Sequence, residues 1–574
     1  MTTTEQKSRP ILEMTSNMQF TVGTNLTGGL ASAAWRVLLP GLELSHILFL
    51  GKPKNATLQV FADLSKQVSV VAEQGERLEI DNADSNGKHA PALAAISLRN
   101  GEIVPLEDRT VDLIVVNHNK YLELIARREV FAAECSRVLS DAGVVYFEAR
   151  RQTGSAILSN IRKAGLSESA AFWLTPFKGE MRTAFPAGDS KMAAYLFQNV
   201  LFGQSFKKKT LSRGGVLLSK MHLLPAIAPR RAVLVKKSKA PFDLQEAPKY
   251  ILDLADENGV DFRGLRCGLS ARGKFNANKS IFYLFEKDAS EAKYVAKMTR
   301  APEFNFRLEN EFRSLSHIRA KGYVDEKTYP VPLFFGHHAG LVVSAQKAVH
   351  AQPFRTRTLA TADCPIMHDA IDWIIELGIA SADESCVAGE QVARVLSKLF
   401  TRFREIYHLP AGEIRFLAEQ IKMLESSTAP FPLVFQHGDL GSWNILVGSD
   451  NKVIVLDWEA GETGGMPLWD FFYFIRSYAM WMCRVKGRRD SLKNFDAMFL
   501  QPSEISGVFA NTIAKYCMQI GLDKSLIAPL FYTCWMHRSL KEAMRLKRDE
   551  LMSGHYVSLL RMCIERWDEV RKAL

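Results

Sequence analysis

The sequence predicts two modules in one chain. The first is an α/β, doubly wound parallel sheet. The second is an α+β module in which β-hairpins give way to a mostly helical region. Three observations predict this. Residues 46–150 alternate short apolar runs with helical stretches, the pattern of strands joined by crossover helices. From about 262 to 346 the pattern changes to paired strands with one helix. Beyond that the chain reads as helical to Leu574, apart from one hairpin at 432–457.

In the first module, HILFLG (46–51) reads as a buried strand and LQVFADLSKQ (58–67) as a helix. VSVVAE (68–73) and DLIVVNH (112–118) read as further strands. YLELIARREVFAAECSRVLS (121–140) has the period of one amphipathic helix; Gly143 follows its end and VVYFEA (144–149) is the next strand. Ligands of such sheets bind beyond the carboxyl ends of the strands, which places Gly51, Glu73 and Asn117 at the candidate crevice. In the second module, RCGLSARGKFNANKS (266–280) reads as a turn, and IFYLFEK (281–287) and KYVAKMT (293–299) as paired strands. FRLENEFRSLSHIRAKG (306–322) is helical, ending at Gly322, and LVVSAQ (341–346) is a strand.

A chain of 574 residues has a prior of two to four domains, at about 100–200 residues each. Hydrophobic residues make up 47% and charged residues 24%, the proportions of a folded protein and not of a disordered tail or a fibre. No run of about 18 apolar residues exists, which excludes a spanning helix, and MTTTEQKSRP lacks the apolar core of a secretory signal. The eight cysteines form no CxxC pair, so they read as free thiols of a reducing compartment, the cytoplasm.

The net charge of +11 is uneven: residues 1–240 hold about 31 Lys and Arg against about 21 Asp and Glu. Residues 205–240 carry ten Lys or Arg and no acid, and KKSKAP (236–241) reads as a linker. The domain boundary is therefore placed near residue 240: 1–240, then 241–574, with its strand-rich part at about 250–346 and its helical part at about 347–574. The basic stretch has two readings. One is a solvated face beside a linker. The other is contact with an anionic membrane surface, such as the inner face of the membrane, because apolar residues interleave with the charges in 214–237. Nucleic acid is disfavoured as a partner by the lack of a stacking-aromatic or helix-turn-helix signature.

The segment LVFQHGDLGSWNILVGSDNKVIVLDWE (433–459) carries the chemistry. LVF enters as a strand, HGDLGSW makes a polar loop, and NILV and VIVLDW form a hairpin turned by GSDN. Asp439 lies on the loop, Asn444 starts the next strand and Asp457 ends its partner. Two carboxylates and an amide oxygen suit hard Mg²⁺ and a hydroxyl nucleophile.

HGDLGSWNIL followed by VLDWE resembles the aminoglycoside phosphotransferase and choline kinase branch of the protein-kinase-like fold, over about residues 250–574. The resemblance implies a bilobal kinase-like domain that transfers the γ-phosphate of ATP to a hydroxyl of a small molecule or a glycan end. It implies that Lys297, on YVAKM, grips the ATP phosphates and is held by Glu311, preferred to Glu309 for its spacing to the following Leu. The phosphate-covering turn would run from Gly268 to Gly273, and Gln346 would belong to the nucleotide-binding set. Asn444 and Asp457 would hold Mg²⁺, with Glu459 assisting, and Asp439 would orient the acceptor hydroxyl and accept its proton. His437 reads as a packing and hydrogen-bonding residue of the loop, and Asp470 of WDFFYFI matches a structural Asp of the family. Glu462, Asp470 and Asp490 would suit a cationic acceptor or serve the structure; the sequence leaves both open.

IVPLEDRTVDLIVVNH with AAECSRVLSDAGVVYFE (103–118 and 132–148) resembles a class I S-adenosylmethionine-dependent methyltransferase, which implies a Rossmann-like sheet. The turn after its first strand departs from that family: LGKPKNAT (50–57) keeps Gly51 alone, with Pro53, Lys52 and Lys54 where glycine freedom is needed. The resemblance thus implies a degenerate domain. Two rivals to a single kinase stay open, a scaffold of two degenerate domains and a bifunctional methyltransferase–kinase.

Overall fold

A computed structural model describes residues 29–72, 92–149, 151–176, 179–201, 206–223, 230–237, 246–273, 275–382 and 386–574. Their contacts separate into two compact units, one of Thr27–Leu308 with Leu333–Ala348, the other containing Glu309–Pro332 and Val349–Leu574.

The first unit is built on one continuous sheet. Its strands are β1 (Leu44–Leu50), β2 (Ser65–Val71), β3 (Ala92–Ile96), β4 (Val111–Val116), β5 (Leu139–Ala149), β6 (Leu166–Thr175), β7 (Thr183–Pro186), β8 (Arg231–Lys237), β9 (Arg266–Ser270), β10 (Ser280–Phe285), β11 (Tyr294–Met298), β12 (Pro332–His338) and β13 (Leu341–Lys347). The order is β12-β13-β11-β10-β9-β7-β6-β8-β5-β4-β1-β2-β3. The β3-β2-β1-β4-β5 half is parallel throughout. The central strands β1 and β4 are largely buried and apolar, as expected where helices cover such a sheet on both faces. The chain moves outward from β1 to β3 on one side and from β4 to β5 on the other, so the crevice of this doubly wound sheet lies where β1 meets β4.

Beyond β5 the pairing turns antiparallel through β8, β6 and β7. There β7 pairs with β9, Thr183 opposite Ser270 and Ala184 opposite Leu269. The strands β9, β10, β11 and β13 then continue antiparallel. This pairing joins the strand-rich part of the second sequence module to the sheet of the first. The compact units part at 308/309, 332/333 and 348/349.

Several local readings change. The segment 121–140 is two helices, Asn119–Arg127 and Glu129–Val138, broken at Arg128, whose φ of −126° and ψ of 105° are extended. Gly143 lies inside β5, where a Cβ would stand 2.8 Å from the Leu139 side chain. Lys236 and Lys237 end β8, with the Lys237 Nζ donating to the Leu139 carbonyl at 2.5 Å, so KKSKAP begins as a central strand and not as a linker. Arg230, just before β8, pairs with Glu148 at 2.6 Å. The basic stretch is thus partly consumed inside the sheet. Residues 266–270 are β9, which confines the turn read at 266–280 to residues 271–279.

The second unit is mainly helical. Its helices include Pro365–Ala382, Gly389–Ile406, Ala411–Glu425, Trp469–Val485, Glu504–Ile520, Ile527–Ala543 and His555–Glu565. Trp469–Val485 and Ile527–Ala543 are buried on nearly every side, as expected of helices apolar all round. The short strands are β14 (Gln352–Pro353), β15 (Cys386–Val387), β16 (Phe431–Pro432), β17 (Val434–Gln436), β18 (Ile445–Val447), β19 (Val453–Val455) and β20 (Glu462–Gly465). The hairpin β18–β19 forms as read, Ile445 opposite Val455. LVF does not join it: β17 pairs with β20. The helix read at 306–322 is Asn305–Lys321, and Gly322 terminates it at φ +64°. No helix among the described residues is long and apolar enough to cross a membrane.

Candidate active site

The loop between β17 and β18 is held by its own backbone and by one buried acid. Asp470, in the first turn of the helix Trp469–Val485, accepts from the His437 N–H at 2.5 Å and from the Gly438 N–H at 2.9 Å. Burial pushes the Asp470 carboxyl up, and His437 and the two amides pull against that shift. Gly438 has φ +75°, and a Cβ there would lie 2.2 Å from the Ala460 carbonyl oxygen, so no other residue fits between His437 and Asp439. His437 is fully buried and lies against Trp458, ring centroids 4.7 Å apart. Its Nε2 bonds the Leu456 carbonyl at 2.8 Å, and its Nδ1 accepts the Asp439 N–H at 3.2 Å.

These contacts bring Asp439, Asn444 and Asp457 into one neighbourhood. The Asn444 amide nitrogen donates to the Asp439 carbonyl at 2.9 Å, which turns its amide oxygen away from the loop. The Leu456 N–H donates to the Asn444 carbonyl at 2.8 Å, setting Asp457 one residue past that pairing. Asp457 sits at φ +67°. A non-glycine residue holds that conformation at a cost of about 1–3 kcal/mol and only where its surroundings impose it. Glu459 follows, its carbonyl accepting from the Asn310 side chain at 3.1 Å.

Asp439 has a partner that the sequence reading missed. The Arg538 Nη2 donates to its Oδ1 at 2.7 Å, and Nη1 donates to the Gly438 carbonyl at 3.0 Å. Lys541, one turn on, donates to the same carbonyl at 2.9 Å. Burial works against the Arg538 charge, but Tyr473, Asp439 and Tyr556 outweigh it and push the guanidinium up. Burial and then Arg538 push Lys541 down. Nothing in the sequence near 439 points to these cations. Their spacing of three on one helix was the available signal, and it is common on helix surfaces.

The remaining predicted residues are placed element by element. Glu311 is 1% exposed on the helix Asn305–Lys321, whereas Glu309 is only half-buried. Lys297, 9% exposed, sits on β11 opposite Ile281 and Ser344. Gln346 is buried on β13 opposite Val295. Gly268 lies within β9, not in a turn, and a Cβ there would meet the Phe185 ring at 2.6 Å, so its role is packing. The turn after it is tied down by Arg300, missed in the sequence. Its guanidinium donates to the carbonyls of Ala271 at 2.7 Å, Arg272 at 3.0 Å and Gly273 at 3.0 Å.

The donor set near Asp439 fits Mg²⁺. Asn444 and Asp457 offer hard oxygen ligands, too few for a dedicated cage but suited to an ion that keeps waters and takes its other ligands from phosphates. Among the described residues no group of three or more His, Cys, Asp or Glu is placed to hold a metal by itself.

The crevice of the sheet unit is different. A cavity of about 380 Å³ opens beyond β1 and β4, lined by Trp35, Lys54, Asn117, His118, Tyr146 and Arg230 among others. Gly51 has φ +97°, but a Cβ there would meet the His118 Cβ at 2.7 Å. The Asn117 side chain closes the turn by donating to the Lys52 carbonyl at 2.8 Å. Trp35 stacks on Tyr146 at 3.8 Å. The turn itself is packed shut by His118 and Asn117, so it lacks the open glycine-rich backbone that would approach the methionine part of S-adenosylmethionine, while the cavity beyond it remains. Glu73 lies outside the described residues.

With this geometry in view, comparison with known proteins is informative for the C-terminal half. Residues 274–501 match the model of the phosphotransferase enzyme family. Solved structures resemble different parts of the chain. An aminoglycoside phosphotransferase from Streptomyces rimosus is 15% identical over 52% of this chain and 98% of its own, with a TM-score of 0.30. An ethanolamine kinase from Plasmodium vivax is 12% identical over 67% of this chain and 97% of its own, with a TM-score of 0.33. A TehB-like S-adenosylmethionine-dependent methyltransferase from Corynebacterium glutamicum is 15% identical over 37% of this chain and 88% of its own, with a TM-score of 0.21. No curated protein sequence matches the chain.

Proposed function

We propose that this protein is an ATP- and Mg²⁺-dependent phosphotransferase acting on a hydroxyl of a small molecule or a glycan end. The observation that supports it most is the Asp439–Asn444–Asp457 constellation, held on a loop that Asp470 clamps, within a segment matching the phosphotransferase family. Asp439 orients the acceptor hydroxyl and takes its proton; Arg538 fixes one carboxylate oxygen so that the other faces the acceptor. A base so positioned contributes about 10²–10⁴-fold in rate. Lys297 and Glu311 supply the lysine and acid that orient the nucleotide phosphates, with Gln346 and the turn containing Gly273 as further nucleotide contacts. Asn444 and Asp457 would hold Mg²⁺, which would supply neutralisation of charge on the transferring group. The two sequence modules meet near residue 240, and the first is a methyltransferase-related domain that has lost its cofactor. Seven of the eight free cysteines are buried, which suits the reducing cytoplasm.

The test is ADP release from Mg·ATP with a panel of hydroxyl acceptors, using the full chain and Asp439→Asn. Acceptor-dependent release lost in the variant by about 10²-fold or more supports the reading. Release that Asp439→Asn leaves intact refutes the role of Asp439.

A further inference from the structure

The three acids that a cationic acceptor would need are all engaged in structure. Asp470 binds the loop amides, Glu462 is 4% exposed and accepts from Gln436 at 3.2 Å, and Asp490 caps the helix Ser491–Phe495. The charges left facing the far side of Asp439 are cationic. Arg538 lies 3.5 Å over the Tyr473 ring and 5.6 Å from the Tyr556 ring. Tyr556 in turn carries Arg476 at 5.0 Å. On the other flank of Tyr473 stands Trp443, half exposed beside Asn444 in sequence, with Arg355 5.8 Å over its ring. Arg484, two turns past Arg476 on the same helix, is exposed.

Three of these guanidinium groups have no acid. Among the described residues, Arg355, Arg476 and Arg484 form no ion pair; Arg355 donates to the Ser442 hydroxyl, and Arg476 to Tyr556 and His555. Arg476 is 92% buried, and its Nε has no hydrogen-bond partner. Glu542 accepts the Tyr556 N–H at 2.8 Å. A buried guanidinium with donors to spare is costly unless something accepts them. Planar N–H forks match carboxylate and phosphate oxygens in pairs.

We infer that the acceptor is an alcohol bearing an oxyanion, a phosphate or a carboxylate, gripped by Arg476 and Arg484 with Arg355 beside them, its hydroxyl reaching Asp439 along the wall of Trp443, Tyr473 and Tyr556. This inference rests on the phosphotransferase reading of the same site. It names the opposite charge class from an amine-bearing acceptor.

Calorimetric titration of the full chain tests it in two arms. The first arm titrates a non-hydrolysable ATP analogue with Mg²⁺ and reports on the phosphotransferase reading alone. The second titrates glycerol 3-phosphate, glycerate, glycerol and choline, with the analogue present if it binds. At least one of the two anionic alcohols should bind about tenfold or more tightly than glycerol or choline. Which of the two binds tells phosphate from carboxylate. Arg476→Gln should remove most of that preference. Arg484→Gln, at an exposed position that burdens folding little, should lower it as well. Choline binding as tightly as both anions, no anion binding at millimolar concentration, or a preference untouched by Arg484→Gln overturns the inference. Analogue binding without anion binding leaves the phosphotransferase reading intact; anion binding without the analogue does the reverse.

Discussion

The HGDLGSWN loop of the helical unit and the LGKPKNAT turn of the sheet unit begin alike. Each follows a buried strand, each contains a left-handed glycine, and each stands where its fold class puts chemistry. They differ in what surrounds the glycine. Around Gly438 the loop amides are taken by Asp470, and Asp439 stays half-exposed with the buried Asn444 beside it. Around Gly51 the neighbouring space is filled by His118, and Asn117 is spent on tying the turn shut. The same backbone device therefore supports a site in one unit and a closed turn in the other. What distinguishes them is whether side chains from other elements prop the loop or occupy its opening.

The largest expected effect comes from removing a prop. Trp458 is fully buried against Phe435, His437 and Trp373. Trp458→Ala should cost the helical unit about 3–5 kcal/mol and the nucleotide response with it. Chemical denaturation followed by a local probe of this unit reads the loss, and a cost under 1 kcal/mol would mean that the loop does not depend on this packing.

Asp470→Ala comes next. It leaves the His437 and Gly438 N–H groups buried and unmet, for a loss of about 2–3 kcal/mol together. Asp470→Asn, which keeps one acceptor oxygen, should lose less. Equal losses in the two variants would contradict the two-amide role.

A pH dependence then compares the units. Burial, Arg476 and Arg484 push His555 down to about 3, and burial with Lys541 and Arg538 pushes His537 well below its usual range. Both are depressed on folding, so the unfolded chain binds protons that the folded chain refuses once pH falls below about 6.5. The stability they contribute is full above that pH and declines as pH falls toward the folded values. Melting curves from neutral pH downward should show the helical unit losing up to about 1.4 kcal/mol per pH unit for each histidine, with a shallower slope in His555→Gln. An unchanged slope in that variant would assign the acid sensitivity elsewhere.

The smallest effect belongs to Gly51→Ala. The left-handed φ and the approach to His118 should cost about 1–2 kcal/mol in the sheet unit, read by thermal melting, with no change in any ligand response. A change in S-adenosylmethionine binding would show that the turn still serves a cofactor.

The sequence carried the elements whose signals are local. The central parallel strands are short apolar runs, the helix Asn305–Lys321 ends at a glycine, and the hairpin β18–β19 is turned by Gly, Ser, Asp and Asn. The loop residues Asp439 and Asn444 were legible because their spacing is itself the chemistry. What escaped depends on partners far along the chain. β7 finds β9 about 85 residues on, so the merging of two sequence modules into one sheet has no local mark. β8 was hidden because its terminal lysines read as a charge run, although they end a central strand, with the Lys237 ammonium bonded to the Leu139 carbonyl. Arg538 reaches Asp439 across a sequence separation of 99 residues, and Arg300 reaches the 271–273 carbonyls across 27–29.

The central claim is that the HGDLGSWN loop serves a working site while the LGKPKNAT turn is closed. A thermal-shift titration of the full chain with Mg·ATP and with S-adenosylmethionine, each added alone, tests it most directly. At about 100 times its dissociation constant a ligand stabilises its host by about 2.7 kcal/mol. The account predicts that Mg·ATP raises a transition, that Asp457→Ala abolishes the shift, and that S-adenosylmethionine shifts nothing. A shift with S-adenosylmethionine and none with Mg·ATP would contradict it.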